Sequence, residues 1–160
     1  MNARRHVPPA FYGIYNDGVN NPHSALSSDD VGALQSAALS LMMAAHFKGQ
    51  RYFDEFRKKS EALYVDFEEK AIELDAATSE ELRVVQDDLK SEKIAIWEAY
   101  RRRRDIDHKN ADVAERINQG FENAQRQMDE EKEQLITALR DEVNRVQEGL
   151  QIVLTAHGLP

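Results

Sequence analysis

Histidines and carboxylates are the side chains here that could bind a metal or move a proton, and their spacing decides what they can do. A di-metal centre in a helical bundle needs glutamates together with two Glu-x-x-His pairs. Among His6, His23, His46, His108 and His157, only His108 has an acid three residues before it, and that acid, Asp105, adjoins a run of arginines. A metal centre is therefore not expected. No Gly-rich phosphate loop occurs, and no serine or histidine sits in a recognised nucleophile motif. The absence of cysteine removes disulfides and thiolate ligands. Glu68, Glu69, Asp129, Glu130 and Glu131 read as a solvated helix face. The expectation is that the chain is not an enzyme, with no catalytic, cofactor-binding or metal residues. A cofactor-free bundle enzyme is its weakest reading, because active sites gather polar groups in a pocket.

Arg101, Arg102, Arg103 and Arg104 form a run of four positive charges. Successive helical residues point about 100° apart, so the four cannot face one groove. The run reads as a solvated surface, or as a partner for acids of a neighbouring helix such as those of the 66–73 region. A net charge of −8 disfavours wrapping of duplex nucleic acid, whose affinity comes from Lys and Arg on phosphates.

The elements that carry these residues are long helices. No proline occurs between Pro22 and Pro160, and Ala, Leu, Glu, Gln, Arg and Lys are abundant. With aromatics at 8% and charged residues at 31%, little material remains for a round core, so helices pairing along stripes are expected. The predicted fold is all-α: an elongated helical hairpin or coiled-coil bundle with an extended N-terminal arm.

Residues 1–27, with Pro8, Pro9, Gly13, Gly18 and Pro22, read as the arm, whose Phe11, Tyr12 and Tyr15 offer apolar area to anchor it on a partner. Ser27 to Asp30 supply a helix start, and helix one spans 28–75 with a stripe through Val31, Leu34, Ala38, Met42, Ala45, Phe53, Phe56, Leu63, Phe67, Ile72 and Leu74. A turn is predicted at 76–79, where large residues vanish and Thr78 with Glu81 forms a capping box. Residues 80–157 follow as one long helix, or as two broken near 107–110 with Asn110 as a cap. His157 and Gly158 open a stop at 158–160.

With a turn at 76–79, the stripe Leu135, Leu139, Val143, Val146, Leu150 and Val153 lacks an internal partner, unless a third helix folds back. That unpaired stripe argues for self-association. Residues 31–47 carry no charge and set Gly32, Ser36, Ser40 and Ala44 four apart, so two helices could approach closely there. Seventeen uncharged residues containing Gln35 and His46 make a poor bilayer span.

The uncharged Ala/Ser/Met helix of 31–47, followed by charged helices, resembles small internal or ejection proteins of short-tailed bacteriophages, and the aromatic arm is similar to anchoring arms of virion proteins. The resemblance covers residues 1–75 and rests on composition. It implies a non-enzymatic particle component that oligomerises around a channel or docks on a larger shell. The expected partners are further copies of the chain and other proteins of the assembly, in a virion or the cytoplasm, without Sec export. Two other readings stand beside it: a cytosolic coiled-coil adaptor that takes a partner helix beside Met128 to Val153, and a membrane-active oligomeric segment.

Overall fold

A computed structural model describes residues 7–20 and 26–160. Every regular element among them is helical: a 3-10 turn at Pro9–Phe11, α1 at Tyr12–Asn20, α2 at Ser28–Lys90 and α3 at Ile96–Ala156. The chain is an all-α helical hairpin in which α2 and α3 pack against each other. It divides into two compact units, Met1–Glu55 with Glu131–Pro160, and Phe56–Glu130.

α2 starts where the sequence predicts, on a reciprocal cap. The Asp30 N–H donates to Ser27 Oγ at 3.1 Å, while the Ser27 N–H and hydroxyl donate to Asp30 Oδ2 at 3.1 and 2.7 Å. These bonds favour the charged carboxylate and hold Asp30 below its ordinary pKa.

The predicted turn at 76–79 is not there: α2 continues to Lys90. Nothing in Asp75 to Ser79 breaks a helix, Ala76 and Ala77 favour one, and a local loss of large side chains is not a stop signal. Thr78 caps nothing; mid-helix, it donates to the Leu74 carbonyl at 2.7 Å. The actual turn lies at 91–95. The Lys93 N–H bonds the Asp88 carbonyl at 2.9 Å and the Glu92 N–H bonds the Leu89 carbonyl at 3.1 Å, with Glu92 left-handed at φ 59°. This is a Schellman cap with glutamate where glycine is usual. The break near 107–110 is absent too, since α3 runs through it. Asn110 is buried and faces α2 instead of ending a helix.

α3 ends on the same kind of cap, now with the expected glycine. The Leu159 N–H reaches the Leu154 carbonyl at 2.9 Å, the Gly158 N–H reaches Thr155 at 3.0 Å, and Gly158 has φ 72°.

The first unit holds the core. Val7, Phe11 and Tyr15 pack with Leu34 and Ala38 of α2 and Val146 and Val153 of α3. The extended arm is therefore corrected to a short helix lying on the α2–α3 pair. Pro8 and Pro9 preset the backbone of its first turn, and burial of Phe11 and Tyr15 overrides the weak helix propensity of Gly13, Gly18 and the asparagines. Gly18 is required by close approach: a Cβ there would lie 2.6 Å from His157 Nε2, which itself sits 2.8 Å from the Ile14 carbonyl oxygen.

The second unit is two helices deep and thinly buried. Ala99 and Asn110 alone are fully buried among residues 56–130. Its seam is made by half-buried side chains such as Phe67 and Phe121, whose tilted rings lie 4.7 Å apart between centres, while the exposed Tyr64 meets Phe121 edge-on at 5.1 Å.

Candidate interaction surfaces

The residues predicted to mediate assembly fall into three groups, and the structure treats each differently. In the arm, Phe11 is 1% exposed and Tyr15 lies in the same core, so both anchor the arm to its own chain. Tyr12 faces outward.

The C-terminal stripe is not unpartnered. Because the turn falls at 91–95, α3 extends back along the first part of α2, and Val146 and Val153 are buried there while Leu135, Leu139, Val143 and Leu150 are half-buried. Pairs across this seam include Lys48 with Glu142 at 3.6 Å and the Gln147 amide with Met42 Sδ at 3.9 Å. The argument for self-association through this stripe is thereby overturned. An open groove of about 490 Å³ nonetheless runs beside it, lined by Met42, Phe53, Leu139 and Val143 among others.

Gly32, Ser36, Ser40 and Ala44 are all exposed, and the Ser40 hydroxyl donates back to the Ser36 carbonyl at 2.9 Å. On the same outer side stand three large apolar residues that sequence reasoning missed. Leu39 and Phe47 are each 55% exposed, with Met43 between them. Their signal was present in the spacing: 39, 43 and 47 recur every four residues, out of phase with the buried Leu34, Ala38 and Ala45.

In the second unit, the seam carries a polar pair. Asn110 Nδ2 donates to Thr78 Oγ1 at 2.8 Å, and Lys109 Nζ reaches Glu81 at 2.7 Å one residue earlier. Beside the seam lies an open groove of about 420 Å³ walled by Leu63, Phe67, Val113, Ile117 and Phe121. Around it the outer surface is apolar at Tyr64, Val65, Ile72 and Val84, and the turn presents Ile96, Trp97 and Tyr100, of which Trp97 is 65% exposed. The four-residue step from Ile96 to Tyr100 would fit a buried stripe equally well.

The arginines diverge as their helical spacing requires. Arg101 lies 5.4 Å from the Trp97 ring centre, and Arg102 bonds Glu98 at 2.7 Å and Asp88 at 3.5 Å, not the 66–73 acids. Arg103 and Arg104 are exposed. Elsewhere Arg83 forks between Glu80 and Asp87, which raises the arginine's pKa and lowers that of Glu80.

Among the described residues no group of three or more His, Asp or Glu is placed to hold a metal ion, and His6 and His23 lie outside them. No helix among them is long and apolar enough to cross a membrane. No protein-family model matches the chain, and neither curated proteins nor solved structures yield a match.

Proposed function

We propose that the chain is a non-enzymatic structural subunit of a larger oligomeric assembly, of the kind its composition resembles in phage particles. The observation that carries this reading is the second unit, which exposes Tyr64, Val65, Ile72, Val84, Ile96, Trp97 and Tyr100 while fully burying almost nothing. Two helices alone bury too little apolar area to be securely stable, and neighbouring subunits laid over those side chains supply the missing layer. The arm and the C-terminal stripe act differently from what sequence suggests: they close the first unit on itself and leave assembly to the outer faces.

The test is amide hydrogen exchange on the isolated chain beside a measurement of its mass in solution. The proposal expects residues 56–130 to exchange far faster than the Val146 to Val153 segment when the protein is alone. A stable 18.3 kDa monomer whose 56–130 amides are as protected as that segment would overturn it.

A second reading, a coiled-coil adaptor, is favoured by the groove lined by Met42, Phe53, Leu139 and Val143. It expects Val143→Asp in the full chain to abolish capture of a helical partner. Retained capture removes it.

A further inference from the structure

The outer face of α2 in the first unit points to a specific occupant. Leu39, Met43 and Phe47 stand exposed along one line of the helix, in a stretch from Val31 to Phe47 that contains no charged residue. Each chain carries −8, so two copies repel over most of their surface. This face is where they can meet without opposing like charges.

Its two ends differ in sign. Asp29 stands at the N-terminal end and Arg51 at the other, both exposed and on the same side of the helix as Met43. Among the described residues neither makes an ion pair: the cap uses Asp30, and the Glu142 pair uses Lys48. A parallel neighbour would place like charges together, whereas an antiparallel one places Asp29 of each copy beside Arg51 of the other.

Side-chain size follows the same symmetry. With a two-fold axis passing between Leu39 and Ser40, Phe47 lies over the partner's Gly32, Met43 over the partner's Ser36 and Leu39 over the partner's Ser40. Each large residue then enters a gap left by a small one, and a residue's contact is returned by its symmetry mate, as an isologous interface requires. At Gly32 a Cβ would meet nothing within its own chain, so the space is open to a neighbour.

We infer that a second copy of this chain covers this face, forming an antiparallel dimer through α2 about Leu39 and Ser40. The inference rests on the reading of the chain as an assembly subunit and names one of its contacts.

Sedimentation of the full chain tests it, with circular dichroism to confirm that variants remain helical. The wild-type chain is expected to dimerise, and Met43→Asp, which buries an unpaired charge in the contact, to raise the dissociation constant about 100-fold or more. Asp29→Arg and Arg51→Asp should each weaken the dimer by up to about tenfold, and the two together should restore it. Should Met43→Asp fail to fold, Leu39→Cys in this cysteine-free chain gives a second measurement. A short bismaleimide should link that variant into dimers and leave Glu69→Cys monomeric. A dimer that survives Met43→Asp, a charge swap without rescue, or equal linking at both cysteines overturns the inference. A wild-type chain that stays monomeric overturns it as well. None of these outcomes alone decides the proposed function, which falls only if a monomer also protects its 56–130 amides as well as the Val146 to Val153 segment.

Discussion

Asn110 and Thr78 were each read from sequence as the cap of a helix, and they turn out to bond each other in the middle of two. The misreading has a physical root, because a side chain that can satisfy a helix end can equally satisfy a partner across a seam. A buried asparagine between paired helices favours one register, since any shift leaves its amide without a partner. Asn110→Ala should lower stability by about 1–2 kcal/mol in urea unfolding. Replacing both, Thr78→Val with Asn110→Leu, should leave stability equal or higher while NMR peaks of 56–130 multiply as registers mix. A single peak set in the double variant would show that the pair does not select the register. Glu92 gives the second prediction at this scale. Its left-handed backbone costs a non-glycine residue about 1 kcal/mol, so Glu92→Gly should raise the melting temperature by about 2–4 °C. An unchanged or lower value would mean that the glutamate side chain offsets the strain. Asp30 supplies the third. Its folded pKa lies below the ordinary 3.8, so its contribution is complete above that value and fades as pH falls through the lowered one. Amide exchange in the first turn of α2 should accelerate in that acid range, and Asp30→Asn should remove the pH dependence. Acid fraying that persists in the asparagine variant would count against the cap.

At the scale of elements, the helical class, the start of α2 and the stop of α3 were readable from residues alone. Ser27 with Asp30, and Gly158 in its left-handed conformation, are chemistry that a sequence displays. The main turn was not readable. Glu92 takes by tertiary compulsion the conformation that glycine adopts freely, and no proline or glycine announces it. That displacement propagated, since a turn placed too early left the C-terminal stripe without the α2 partner it has. The arm was misread for the opposite reason: Gly13, Gly18 and the asparagines weaken a helix locally, and only the core beneath Phe11 and Tyr15 restores it. Phe11→Ala should therefore cost about 3–5 kcal/mol, far more than removal of a loosely held tail. A loss under about 1 kcal/mol in thermal or urea unfolding would contradict the arm's place in the core.

For the molecule as a whole, burial is unequal. The first unit closes around fully buried side chains and the second does not, so stability and assembly should respond to different residues. Ile72 stands 69% exposed, and Ile72→Ser should leave stability within about 0.5 kcal/mol while weakening any complex that covers the second unit. A large loss of stability in the isolated chain would place Ile72 in an internal contact. The exposed surfaces were only half readable, because a residue repeated every four positions looks the same whether it faces its own chain or a neighbour. Burial distinguishes Leu39 from Leu34, and periodicity alone does not.

The core that unites Phe11 with Val153 also sets an order of events during biosynthesis. Phe11 leaves the ribosome early, yet one wall of its pocket is translated more than a hundred residues afterwards, so it must wait in solvent while almost everything between is made. A nascent chain halted before Val146 should leave Phe11 accessible to a chaperone, and one in which the segment through Val153 has cleared the ribosome should hide it. Contacts so distant along the chain close slowly, which makes this closure the late step of maturation.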